Sequence, residues 1–236
     1  MKIPMVCKKC YSSVEWVTFN DDGVFKYKCG NNHITYSVCY NEKFEILFEK
    51  GVGGLKRGDY YSASICFAAA LERFYEFAIK VMLHESEIAE DEINEAFKGM
   101  NRSSERELGA FYILYLKEFR KACPKMGTTS IKFRNKVIHK GYMPTYGESL
   151  KYGEQVLSYI RDIEKRLASK YSTEKMFEVA FKRIGNLMNK VSEEEKIEFE
   201  NISTISMHTI IGLENINTEQ EKVTIEQYLK RSNGLL

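Results

Sequence analysis

With 236 residues, 44% of them hydrophobic, and 35 basic side chains against 33 acidic for a net charge of +2, the chain has the composition of an ordinary globular protein of one large domain or two to three small ones. Three prolines and 15 glycines are too few for a long disordered linker, and no apolar run approaches the roughly 18 residues that cross a bilayer. The opening Met1-Lys2-Ile3-Pro4-Met5 leads straight into Cys7 with no export signal, so a cytoplasmic location without a membrane partner is expected.

Residues 1–51 read as a small β domain. Glu15-Trp16-Val17-Thr18-Phe19 and Val24-Phe25-Lys26-Tyr27-Lys28 alternate with the two-residue period of strands on either side of an Asn20-Asp21-Asp22-Gly23 turn, which predicts a hairpin. So short a segment cannot build a core unaided. Four of the six cysteines, Cys7, Cys10, Cys29 and Cys39, crowd into this segment of a chain with no export signal, so metal ligation is a better reading than disulfides. Cys7-Lys8-Lys9-Cys10, then eighteen residues, then Cys29-Gly30-Asn31-Asn32-His33 is the two-knuckle spacing of a zinc ribbon. In such a ribbon Cys7, Cys10, Cys29 and His33 converge on one tetrahedral ion, at about 2.3 Å for sulfur and about 2.0 Å for nitrogen. Cys39 is a rival for His33 as fourth ligand, but it lies six residues beyond the compact turn. Four protein ligands leave no open position, so the Zn2+ would be structural, and its binding would serve as folding energy.

Gly51-Val52-Gly53-Gly54 reads as a hinge, and beyond it the period changes from two to the helical value, placing a domain boundary near residue 52. Asp59 is the expected N-cap of a helix to about Leu83, with Ile65, Ala68, Tyr75 and Ile79 on one stripe and Phe67, Leu71, Phe74 and Ala78 on the adjoining one. A helix so widely apolar belongs in the middle of a bundle. Ser104 to Ala122 forms a second helix, ended by Pro124. A Gly127-Thr128-Thr129-Ser130 loop, with Ser130 as cap, leads into a short third helix stopped by Gly141 and Pro144, and Tyr146 to Lys170 forms a fourth. Residues 52–170 are therefore expected as an up-and-down bundle of four or five helices. Residues 171–236 read as a mainly helical extension, with one amphipathic helix through Phe177, Ala180, Ile184 and Val191, a short last one at Ile225 to Leu229, and Ile197 to Ile216 open between helix and strand. The predicted fold is mainly α, with a small β ribbon in front.

Between positions 117 and 140, eight basic residues (Lys117, Arg120, Lys121, Lys125, Lys132, Arg134, Lys136 and Lys140) face the single acid Glu118, a local charge of +7 in a chain of +2. A polyanion is the natural partner of such a concentration, and RNA is the one expected here. Within it, Arg134 and His139 lie about 140° apart around a helix axis, predicting that they flank a cleft, while Asn135 and His139 stack at i and i+4. Arg134 can fork onto two phosphoryl oxygens and His139 can take or give a proton. RNA supplies its own nucleophile in the 2′-hydroxyl, so these two groups suffice for cleavage without a metal. Lys132, Lys136 and Lys140 would hold the backbone, and Tyr142 could stack on an unpaired base, though packing against the last bundle helix ranks ahead of that for the tyrosine. On the first helix, Glu72 shares the apolar stripe of Ile65, Ala68, Tyr75 and Ile79 and needs a partner, for which Arg134 and Lys136 are the candidates.

The string Arg134-Asn135-Lys136-Val137-Ile138-His139 on a short late helix, with Gly58-Asp59-Tyr60-Tyr61-Ser62-Ala63 opening a long first helix that runs through Ala70-Leu71-Glu72-Arg73, resembles the HEPN superfamily over about residues 52–170. The resemblance implies a metal-independent endoribonuclease of a toxin, antiviral or abortive-infection system. Arg134 and His139 match the two defining positions, Asn135 the variable polar one, and Glu72 the acidic residue often present on the first helix. It also implies a homodimer that joins two motifs in one composite site, and a protein partner such as an antitoxin. Members silenced by tyrosine modification carry that tyrosine two residues after the histidine, where this chain has Gly141. The alternative is a catalytically inactive helical scaffold or nucleic-acid-binding module using the same basic surface. A DNA-binding zinc-ribbon regulator ranks last, for want of a base-reading helix in the ribbon.

Overall fold

A computed structural model of the protein describes residues 2–11, 14–84, 86, 88–100, 104–216 and 218–233. The strands are β1 (Lys2–Val6), β2 (Val14–Thr18), β3 (Val24–Lys28), β4 (Ile34–Cys39) and β5 (Ile202–Ile205). The helices are α1 (Lys43–Lys56), α2 (Tyr60–Leu83), α3 (Glu90–Met100), α4 (Ser104–Phe119), α5 (Thr128–Lys140), α6 (Tyr146–Tyr171), α7 (Thr173–Glu195) and α8 (Ile225–Asn233). The protein is thus mainly helical with a small β region, and no helix among the described residues is long and apolar enough to cross a membrane. Two compact units emerge, residues 1–41 with 178–208 and residues 42–177 with 209–236. The expected C-terminal extension is accordingly divided between them.

In the first unit the two predicted strands at 14–18 and 24–28 form, but not as partners. β2 pairs antiparallel with β1, Ile3 opposite Val17, and β3 pairs antiparallel with β4, Phe25 opposite Ser37. The turn between β2 and β3 is closed by Asn20, which accepts from the Gly23 N–H at 3.0 Å and donates to the Val24 carbonyl at 2.7 Å, yet it links two sheets rather than one hairpin. Alternation fixes which face a strand buries and says nothing about which strand lies beside it. β1 itself alternates, burying Ile3 and Met5 and exposing Lys2 and Val6. The undecided segment after residue 197 supplies β5, which joins β4 in parallel with Tyr36 opposite Ile202. Tyr36, Val38 and Ile202 then pack with Ile184 and Val191 of α7 in a small buried cluster.

In the second unit the glycine run is not a hinge. Gly51, Gly53 and Gly54 lie within α1, whose Phe44, Phe48, Val52 and Leu55 are buried at helical spacing. A Cβ at Gly51 would come within 2.6 Å of the Phe67 ring, and one at Gly54 within 3.1 Å of the Ala63 backbone. These glycines let α1 approach α2 more closely than any other residue allows. As expected, α2 starts at Asp59, whose carboxylate accepts the Ser62 N–H at 3.1 Å, and it runs to Leu83. It packs against α1, α4, α5 and α6, so both of its apolar faces are covered.

Two predicted boundaries change and one helix is added. α4 ends at Phe119, because the chain turns left-handed at Arg120 (φ 56°) ahead of Pro124. α5 begins at Thr128 with Gly127 at its cap; Ser130 lies inside the helix, buried, and donates to Gln155 on α6 at 2.8 Å. α3 had no counterpart among the expected elements. α6 opens at Tyr146 as predicted, on a reciprocal capping box between Thr145 and Glu148.

Candidate functional site

α5 is closed by Gly141 in the left-handed conformation (φ 62°), and both its N–H and that of Tyr142 point at the Lys136 carbonyl. This fixes His139, exposed, on the final turn. Packing of α5 on α2 brings Glu72 to Arg134, so that one guanidinium nitrogen, Nη2, donates to Glu72 Oε1 at 2.5 Å. The other, Nη1, donates to Asn135 Oδ1 at 3.1 Å and lies 3.3 Å from His139 Nε2. Three predicted residues thus converge on the fourth within one copy of the chain.

The expected divergence of Arg134 and His139 is corrected here. The angle of about 140° describes the Cα–Cβ directions, and a long, flexible arginine bends back across that arc to the imidazole. A guanidinium has only donors, so in a hydrogen bond between the two it is His139 Nε2 that accepts. Of the two partners open to Glu72, Arg134 is the one taken. Each side chain of the pair is about a quarter exposed, at 26% for Arg134 and 29% for Glu72, so the pair remains in contact with solvent and with any bound anion.

Lys132, Lys136 and Lys140 are exposed along the same helix. The Lys136 ammonium sits 3.2 Å above the centre of the Tyr142 ring, and the Tyr142 hydroxyl donates to Glu148 at 2.8 Å, a contact that raises the phenol. Tyr142, just beyond the end of α5, is therefore engaged by Lys136 of that helix and by Glu148 at the start of α6. Lys125 similarly lies 5.9 Å from the centre of the Tyr112 ring. Immediately after Glu72 in the chain, Arg73 bridges Glu76 at 2.6 Å and the buried Glu107 of α4 at 2.9 Å. Burial raises the Glu107 carboxyl, and the Arg73 charge opposes that rise. This second ion pair, unmarked in the sequence pattern, ties α4 to the helix that presents Glu72.

The other cluster is in the first unit. Cys7 and Cys10 lie on the turn between β1 and β2, Cys29 and His33 on the turn between β3 and β4. Each turn contains a left-handed residue, Tyr11 (φ 54°) and Asn32 (φ 62°), and a tight backbone bond, Tyr11 N–H to the Cys7 carbonyl and Asn32 N–H to the Cys29 carbonyl, both at 2.9 Å. The four donor atoms lie within 4.8 Å of one another and could hold a metal ion. His33 belongs to this group, whereas Cys39 closes β4 with its N–H on the Gly23 carbonyl. The Thr35 hydroxyl, 3.4 Å from the Cys7 sulfur, leads in pulling that thiol down to about 7, against the effect of burial. Contacts with Cys10 and then Cys7 raise His33.

Comparison of the chain with protein-family models, with curated proteins and with solved structures gives no match.

Proposed function

We propose that the protein is a metal-independent endoribonuclease of the HEPN type, of the kind found in prokaryotic toxin or antiviral abortive-infection systems. The observation that carries this reading is the convergence of Glu72, Asn135 and His139 on Arg134 at an exposed helix end flanked by Lys132, Lys136 and Lys140. His139 Nε2 accepts the proton of the 2′-hydroxyl, the 2′-oxygen bonds to phosphorus, and the bond from phosphorus to the 5′-oxygen breaks as that oxygen takes up a proton. Arg134, held by Glu72 in the resting site, turns its donors to the phosphoryl oxygens as charge gathers there. The products carry a 2′,3′-cyclic phosphate and a 5′-hydroxyl.

The ribbon's metal is proposed to be Zn2+ in a structural role. Thiolates at about 2.3 Å from a tetrahedral ion lie roughly 3.8 Å apart. The Cys10 and Cys29 sulfurs are separated by 3.8 Å, and so are Cys7 Sγ and His33 Nδ1. A homodimer and a restraining protein partner belong to this reading through the resemblance of the Arg134–His139 motif, and a cytoplasmic location goes with them.

Incubation with total RNA without added divalent cation tests the reading. Wild type should yield 2′,3′-cyclic phosphate ends, and His139→Ala should lose about 10²–10⁴-fold in rate. If His139→Ala and Arg134→Ala both cut as wild type does, or if wild type leaves RNA intact while still binding it, the helical scaffold with a basic surface is the correct description.

A further inference from the structure

Directly beside the Arg134–Glu72 pair, α2, α4, α5 and α6 line a cavity of about 200 Å³. Its floor is buried and mostly apolar or aromatic: Ala68, Leu71 and Tyr75 from α2 and Tyr152 from α6 are each 9% exposed or less. Leu108 and Tyr112 of α4 and Ile131 of α5 also line it, and Glu72, Arg134 and Asn135 stand among its lining groups. Several of those groups reach solvent, Ile131 at 46% exposure and Asn135 and Glu105 also exposed, so the cavity has a mouth on the side of the candidate site.

The volume is below the roughly 300–1,000 Å³ of sites that enclose drug-sized ligands, and it suits one planar ring system. Aromatic walls offer such a ring faces and edges to stack on, while Glu105 offers an acceptor for an exocyclic amine. Burial raises the Tyr152 phenol, so it remains a neutral hydroxyl donor at physiological pH. What distinguishes a nucleobase from any other flat apolar group is the charge at the rim. Arg134 borders the cavity, and Lys132, Lys136 and Lys140 lie on the same helix, so the ring that enters is favoured when it carries an anion outside.

We propose that this cavity receives one unpaired nucleobase of the RNA, adjacent to the phosphate that Arg134 holds, and so selects single-stranded sites for cleavage. The assignment rests on the ribonuclease reading for its purpose, though not for its measurement. An uncleavable single-stranded 2′-O-methyl oligonucleotide is titrated into the full-length protein, alongside an oligomer of equal length and charge whose bases have all been removed. Wild type should bind the base-bearing oligomer on the order of tenfold more tightly. Leu108→Trp and Ile131→Trp, which fill the cavity from α4 and from α5, should each abolish that difference while keeping affinity for the abasic oligomer. Using two walls guards against misfolding of one variant, since Ile131 is a surface position.

Equal binding of the two oligomers by wild type, no binding of either, or a difference that persists in both filled variants overturns the proposal. Cleavage of unmodified RNA is scored in parallel. Base-dependent binding without cleavage supports the cavity and removes the nuclease; cleavage with base-independent binding does the reverse.

Discussion

The first unit, for short the ribbon unit after its proposed metal site, brings four candidate ligand atoms within 4.8 Å of one another on two turns, between strands of only five or six residues, whereas the helical unit surrounds the 24-residue α2 with four other helices. In the first, one chemical event would organise many residues at once, because strands this short bury too little to hold themselves together. In the second, stability is spread over Phe44, Phe67, Phe74, Phe111 and their neighbours, none of them individually decisive. The contrast teaches that the two candidate functions should fail separately: loss of the metal need not disturb the Arg134 site, and damage around Arg134 need not release the metal.

The largest test of that contrast is removal of the metal. Structural zinc contributes about 10–16 kcal/mol to small ligand-held domains, so Cys29→Ser should unfold the ribbon unit while helical ellipticity largely persists. The chain's single tryptophan, Trp16, lies in β2 and makes fluorescence anisotropy a local reporter of the ribbon. Simultaneous loss of both signals would break the comparison. Next in size, Phe74→Ala in the fully buried middle of α2 should cost about 3–5 kcal/mol in urea unfolding followed by ellipticity. The Trp16 signal should then keep its wild-type midpoint.

A smaller effect is expected from Glu49 on α1, whose carboxyl is pushed up to about 7 by burial, against hydrogen bonds from the Ile210 N–H and the Tyr228 hydroxyl. Its folded value lies above the unfolded 4.5, so the folded state binds the extra proton between those values. Stability should therefore be highest below pH 4.5 as far as this group is concerned, and fall as pH rises to about 7, by on the order of 3 kcal/mol. Glu49→Gln should flatten that slope in the helical unit's unfolding curve and leave the Trp16 transition alone. Smallest is Asp59→Ala, which removes the cap on α2 and should cost about 1 kcal/mol, again only in the helical unit.

α2, α4 and α6 were legible because their apolar positions repeat at the helical period over four turns or more, while Asp59 and Gly141 marked the start of α2 and the end of the shorter α5 by chemistry that needs no tertiary information. α1 was illegible for an opposite reason: Gly51, Gly53 and Gly54 look like breakers, and only the Phe67 ring and Ala63 backbone pressed against them explain their presence. The spacing Phe44, Phe48, Val52, Leu55 was the available signal. In the ribbon, the ligands could be read from spacing, but the partners of β2 and β3 could not, since both alternate equally well. The contact of Arg134 with His139 escaped because helical angles locate Cβ atoms and not the ends of long side chains. The cavity beside Arg134 could not have been foreseen, being built from four helices whose lining residues are far apart in sequence.

The parallel pairing of β5 with β4 joins Tyr36 to Ile202 across the whole of the helical unit's first segment. During synthesis the turns bearing Cys7, Cys10, Cys29 and His33 emerge long before that edge can be completed, and the closure entropy of so distant a contact is met only late. Metal capture can therefore precede the final strand, leaving a half-built sheet with an open edge while residues 42–177 are made. Translation speed, and the supply of a metal if those turns bind one, would then weigh beside equilibrium stability in how much of the chain reaches its native form.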